Sequence, residues 1–344
     1  MTLPRLTSGA SVLRSEHFTS RVTTLRTILH RREAGPLIAL CTLSLLFHLM
    51  SGGKFFAFYE LSAVAALSAS LGIVAVGVTI LMISGEFDLS VSQTFALAPI
   101  VMGTLVQDFS WGAGSALLIA ILFVMTVGLV NGLITTVVGI PSFIVTLGML
   151  FAITTVNRTL IGGFGPDLYQ HEAILLSLMG DDIPGTPLSA PLVWMLAVAG
   201  IMWFVLEWTP FGNWTRASGD QGGRVARAMG VPVRRVKVVN FVICAGLAGF
   251  AGCLQLADSG SASVDSGQNY NLLAIVAVVI GGTSLFGVQG TVVGTVLGTL
   301  LLNTLKSGLI LIGTQGQYYP GLMGALLVGA AIVNARMDSE RRSG

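Results

Sequence analysis

Charge is what this chain has least of. Only 10% of its 344 residues are Asp, Glu, Lys or Arg, whereas a water-soluble domain carries about 25%. Lysine occurs three times, as Lys54, Lys237 and Lys306, and none stands in a GxxxxGK[ST] context. A P-loop nucleotide site of its own is therefore excluded. The four histidines, His17, His30, His48 and His171, are scattered, without HExxH or any other metal-ligand spacing. No serine stands in a GxSxG context. Cys41, Cys244 and Cys253 form no CxxC pair and lie in apolar runs, so they read as small packing residues. The net charge of +2 is too small to point to nucleic acid. No catalytic residue, bound metal or cofactor is expected from these absences, and a membrane enzyme is disfavoured.

What is present is apolar. Hydrophobic residues make up 53% of the chain, glycine occurs 43 times, and the mean hydropathy is +0.83. A helix needs about 20 apolar residues to cross a bilayer. Ten stretches qualify, roughly 36–52, 62–84, 88–107, 115–138, 141–162, 190–208, 235–257, 271–287, 289–312 and 319–335. The predicted fold class is thus an all-α polytopic membrane protein. Its membrane-spanning body covers 36–335, between a basic tail at 1–35 and a short tail at 336–344. The second and third stretches are divided only by the GEFDLS break, and the eighth and ninth only by GGTSLFGVQG at 281–290. Such pairs read as broken or re-entrant helices, which survive at membrane depth only inside protein or beside a cavity.

Loop charges orient the chain. The first 35 residues hold Arg5, Arg14, Arg21, Arg26, Arg31 and Arg32 against Glu16 and Glu33, with no apolar core early enough for a secretory signal. They read as a cytoplasmic tail, ahead of an organellar transit peptide. The 209–237 loop carries Arg216, Arg224, Arg227, Arg234, Arg235 and Lys237, and the last ten residues carry Arg336, Arg341 and Arg342. The 163–189 loop has no Lys or Arg. With ten spans both tails and the basic loop fall inside, as the positive-inside rule requires. Lys54, Arg158 and Lys306 stand near outer span ends, where they can snorkel to headgroups. Glycines at spacing four (Gly290, Gly294, Gly298) and three (Gly246, Gly249, Gly252) predict close helix packing.

Three segments carry polar chemistry. In the first break, Gly85, Glu86, Asp88 and Ser90 interrupt an apolar run, and carboxylates there are costly unless paired or hydrated. Asp88 is placed to cap the restarting helix through backbone N–H groups around Ser90 and Val91. Glu86 has no such structural excuse, except as a solvated residue at the inner end of its span. The second segment is the 209–237 loop, read as a turn at Pro210 and Gly212, a hinge at Gly219, Gly222 and Gly223, and a short helix over Arg224–Met229. Its small residues and Met229 among arginines favour docking of a cytoplasmic partner. The third, DSGSASVDSGQNYN at 258–271, is an outer polar segment that is either a plain loop or a receiver of a delivered ligand.

Several motifs together resemble the ribose-type permeases of bacterial monosaccharide ABC importers. GEFDLSVS matches the approximate family motif GGxDLSVG, PSFIVTLG stands unchanged at 141–148, and AVVIGGTSLFG stands at 277–287. Between them Thr209, Phe211, Gly212, Ala217, Gly219, Gln221 and Arg224–Gly230 follow the family's cytoplasmic loop. The resemblance covers about 36–335. The chain departs from the pattern at Glu86 and Ser92, at ASGDQ, and at Asn271 and Leu273, where the family usually has acids.

The resemblance implies a multi-pass subunit of the bacterial inner membrane with both termini cytoplasmic. Its expected partners are a cytoplasmic ABC ATPase that binds the ATP, a periplasmic or extracellular solute-binding protein, and a second permease copy. The expected solute is a monosaccharide or related small polar molecule. The residues placed along its path are Gly85, Glu86, Asp88, Ser90, Phe143, Thr146, Gly281, Gly282, Thr283 and Ser284. The ATPase would engage 209–231 through Phe211, Gly212, Arg216, Gly219, Arg224, Ala226, Met229 and Gly230. The rival from another class is a proton-coupled transporter using Glu86 or Asp88. A membrane enzyme or receptor comes second.

Overall fold

The computed structural model describes residues 33–162, 165–168, 174–181, 183, 186, 188–314 and 316–343. All but the end of the basic tail, His171 and part of the 163–189 loop lie outside the described residues, as do the side chains of Gln221, Arg341 and Arg342. Among the described residues every regular element is helical. We label them α1 (Ala34–Met50), α2 (Phe58–Ile83), α3 (Val91–Gln107), α4 (Ala113–Leu133), α5 (Ser142–Ile161), α6 (Ile174–Gly180), α7 (Ala190–Trp208), α8 (Pro210–Gly219), α9 (Arg224–Ala228), α10 (Val233–Ser259), α11 (Tyr270–Ile280), α12 (Val292–Leu311) and α13 (Tyr319–Ser343).

Seven of these helices are long and apolar enough to cross a membrane: α2, α4 with its π-helical extension to Val138, α5, α7, α10, α12, and α13 with the 3₁₀ turn before it. α1, α3 and α11 are apolar but shorter. Each of the ten stretches expected from sequence thus falls on a helix. The eighth needs correcting: 271–287 is helical only to Ile280. At 1.5 Å per residue its 11 residues span about 16 Å, about half of the hydrocarbon core. The chain reaches α11 by folding inward over 260–269. Gly267 lies against the ring of Phe95, one turn into α3, and Phe95 packs on Tyr270 with ring centroids 5.0 Å apart.

The core sits between α2 and α10, which pack on each other and on α3, α4, α11 and α12. From Leu71 to Ile83 every residue of α2 is buried, which explains why its sequence shows no polar face. α4, α5, α7 and α13 surround this core. Their large exposed side chains are mostly Leu, Ile, Val, Phe and Trp, a surface suited to lipid rather than water.

Close backbone contact joins the inner helices. Gly294 lies against the carbonyl of Gly281, Gly298 against that of Ala277, and Gly252 against that of Phe95. The glycine spacings read from sequence therefore mark crossings where a side chain has no room.

The bundle has two ends. At one, Glu33, Glu207, Trp208 and Thr291 line a shared groove, and Asn334 donates to the Val279 carbonyl (2.9 Å). At the other, Glu60 accepts from Ser307 Oγ (3.2 Å), Asp167 N donates to Gln107 Oε1 (3.0 Å), and Asp167 bridges to Ser261. The first and last described turns thus share one end with both breaks and the basic loop.

Replacing Gly298 with valine is expected to cost about 1–3 kcal/mol through overpacking, seen as a lower melting temperature of the purified protein in detergent. Gly200→Ala, whose added methyl meets nothing within 4 Å, should leave that temperature unchanged or raise it.

Candidate functional site

The first break begins where α2 runs out of helical partners. Gly85 adopts φ +81°, a conformation that costs a side-chain-bearing residue, and Glu86 N still donates back to the Leu81 carbonyl (3.2 Å). The next amides are held by the start of α5. Phe87 N donates to Ser142 Oγ (3.2 Å) and Leu89 N to Thr146 Oγ1 (3.1 Å). The two hydroxyls of the PSFIVTLG motif thus replace the backbone bonds that the interrupted helix forgoes.

Asp88 is 1% exposed. Its Oδ1 accepts from Ser90 N (2.8 Å) and Ser90 Oγ (2.6 Å), and Ser90 Oγ accepts from Asn131 Nδ2 on α4 (3.0 Å). The carboxylate therefore pins the start of α3 and ties it to α4. Its Oδ2 and Asn131 Oδ1 are buried without a hydrogen-bond partner. Glu86 is engaged differently: its Oε1 accepts from Lys237 Nζ on α10 at 2.6 Å, with both side chains largely buried.

The second break follows α11. Ser284 N donates to the Gln289 carbonyl (2.9 Å), closing a tight turn with Phe286 at its exposed tip. Thr283 and Ser284 are buried. Thr291 Oγ1 then caps α12 by accepting from Gly294 N (3.0 Å). The two breaks touch, because Val288 N donates to the Ile83 carbonyl (2.8 Å).

The basic loop completes the contact. Residues expected to form a turn at Pro210 and Gly212 are instead the helix α8, with Thr209 as N-cap and proline at its first position, where the missing N–H is not needed. α8 ends at Gly219, and a 3₁₀ turn over Asp220–Gly223 leads into α9. Gly219 lies against the Ile83 carbonyl, and a β-carbon there would stand 2.7 Å from Val288 N. A β-carbon on Gly287 would stand 3.2 Å from Gly85 Cα and 3.3 Å from Gly219 Cα. Gly85, Gly219 and Gly287 thus form one knot of bare backbone where both breaks and the loop meet.

The structure brings Gly85, Glu86 and Gly219 to this knot, with Ser284 and Thr283 beside it in the second break. Asp88, Ser90 and Thr146 lie behind it, while Gly281 packs on Gly294 of α12, followed by Gly282. It does not gather Phe143, which is 56% exposed on the outside of α5. Within the loop, Ala226 and Gly212 are buried and Phe211 is partly so. Arg216 pairs with Glu207 of α7. Arg224, Val225, Met229 and Gly230 face outward, Met229 at 80% exposure. Sequence reasoning missed Gly287, Ser142, Asn131 and Lys237 as members of the site. Ser142 and Gly287 carried a signal as members of PSFIVTLG and AVVIGGTSLFG, and Lys237 as the last basic residue of the 209–237 segment, fifth in α10.

The family described as the branched-chain amino acid transport system / permease component matches residues 60–331. The ribose import permease of Escherichia coli is 32% identical over 304 residues, 88% of this chain and 92% of that protein. The xylose/arabinose import permease of Sulfolobus acidocaldarius is 30% identical over 300 residues, covering 84% and 81%. The fructose import permease of Rhizobium meliloti is 29% identical over 316 residues, covering 90% and 87%. No solved structure was found to match the chain.

Removing the Asp88 carboxylate should release the start of α3. Asp88→Ala is expected to cost about 1–3 kcal/mol, the range for orphaning buried hydrogen-bonding groups. Asp88→Asn, which keeps an acceptor oxygen, should cost less. Thermal melting of the two variants in detergent checks the order.

Proposed function

The chain belongs to the branched-chain amino acid transport system / permease component family, and from that membership we propose that it is the membrane subunit of an importer energised by a partner ATPase. The named solutes of the three relatives are all monosaccharides. The proposed cargo is accordingly a monosaccharide or related polyol rather than an amino acid. The single observation that carries the mechanism is the glycine knot. A cytoplasmic protein that moves the 209–231 segment would press backbone on backbone against both breaks at once, with no flexible side chain to absorb the displacement.

On this reading α9 is the docking element, with Val225 and Met229 exposed, at 52% and 80%, as apolar anchors among arginines. ATP is bound by the partner. A solute-binding protein delivers cargo to the opposite end of the bundle, where Ser263, Asp265, Gln268 and Asn269 present polar groups on the inward-folded 260–269 segment. Two permease copies form the pathway, with both termini cytoplasmic in the inner membrane.

The proton-coupled alternative loses its footing. The family is one of import permeases, and the two carboxylates it required are committed, Glu86 to Lys237 and Asp88 to Ser90.

The reading is tested by reconstituting the permease with an ABC ATPase and a solute-binding protein from the same organism, using D-ribose, D-fructose and D-xylose as probes. Uptake of a probe should require ATP and the binding protein and should persist when the proton gradient is collapsed. Uptake that follows the proton gradient without ATP would overturn the proposal. In the same preparation Met229→Asp should insert normally but bind the ATPase about tenfold more weakly, as loss of a central apolar anchor does.

A further inference from the structure

Glu86 and Lys237 form a contact that the importer reading does not require. Glu86 follows Gly85, so it is the first side chain after the knot. Lys237 lies in the second turn of α10, just beyond the basic segment. The pair closes at 2.6 Å, and the two side chains keep 13% and 9% of their exposure. Either charge alone at that burial would be unfavourable, so each residue accounts for the presence of the other.

Two further observations concern what surrounds the pair. α10 is the helix that runs from the basic segment to Ser259 and packs on α2, α3 and α4 along the way. It spans the bundle from end to end, as α2 does. Beside the pair, hydrogen bonding is incomplete. Asn240, fully buried and one turn beyond Lys237, has neither Oδ1 nor Nδ2 bonded, and Asp88 Oδ2 is also unbonded. Buried polar groups are nearly always partnered. Asn240, three residues beyond Lys237, shares its face of α10.

We infer that the Glu86–Lys237 ion pair is a positioning link that fastens the first break to α10, so that movement of the basic segment is carried to the far end of the bundle as well as to the breaks. The inference rests on the importer reading. It assigns Glu86 a mechanical role in coupling and no contact with solute.

The test uses the reconstituted complex with its ATPase, reading how far the solute-binding protein stimulates ATP hydrolysis. The double variant Glu86→Gln with Lys237→Met removes both charges and leaves no unpaired ion to disturb insertion. It should assemble with the ATPase and keep basal hydrolysis, while stimulation falls about tenfold, within the range for directly contacting residues. The reversed pair, Glu86→Lys with Lys237→Glu, should recover most of the stimulation that Glu86→Lys alone removes. Wild-type stimulation in the neutral double variant would reduce the pair to a packing feature and overturn the inference, as would a reversed pair no better than the single reversal. A wild-type permease that fails to bind the ATPase would instead sink the importer reading.

Discussion

The structure turns on the absence of side chains at one point. Gly85, Gly219 and Gly287 come from three segments far apart in sequence and touch through backbone alone. A β-carbon on Gly219 would clash with the Ile83 carbonyl and the Val288 amide, one on Gly287 would press on the backbone of Gly85 and Gly219, and Gly85 holds a φ of +81° that a side chain disfavours. In a bilayer, helices gain nothing hydrophobic from leaving lipid for each other, so close approach and hydrogen bonding must hold them together. At the knot that rule does more than stabilise. It joins two interrupted helices to the longest internal basic segment of the chain.

The interruptions themselves follow from how backbone polar groups are satisfied. A helix that stops inside a membrane protein leaves amides and carbonyls that cannot turn to water. Here three of them are met by named groups: Ser142 and Thr146 take the amides of Phe87 and Leu89, and the Ile83 carbonyl takes Val288 N. Asp88 and Ser90 organise the restart, and Asn131 ties it to α4. The breaks are therefore built features, held by specific hydrogen bonds from neighbouring helices.

Much of this was legible in the sequence. Low charge and ten apolar stretches pointed to a polytopic membrane protein, and the arginine pattern placed the 209–237 segment at one end of the bundle with both breaks. Glycine spacing foretold the crossings at Gly294, Gly298 and Gly252. Other features were not legible, for physical reasons. α8 was hidden because Pro210 and Gly212 signal a turn locally, yet proline is welcome at the first helical position and Thr209 supplies the cap. The end of α11 at Ile280 was missed because Leu285 and Phe286 carried the expected span past Gly281, Gly282, Thr283 and Ser284, the residues that form the turn. The pairing of Glu86 with Lys237 spans 151 positions, and no local pattern encodes such a contact. Phe143 was drawn into the pathway by its motif, yet the helical period turns it to the outside of α5 while Thr146 turns inward.

The central claim is that the basic segment and the two breaks move as one body. Spin labels at Val225 on α9 and at Phe286 in the second break, both exposed, test it by pulsed distance measurement in the complex with its ATPase. A second label pair joins Val225 to Phe109, exposed at the far end of the bundle. When a non-hydrolysable ATP analogue is added, the account predicts an unchanged Val225–Phe286 distance and a shifted Val225–Phe109 distance. A Val225–Phe286 distance that changes as much as the other would contradict it.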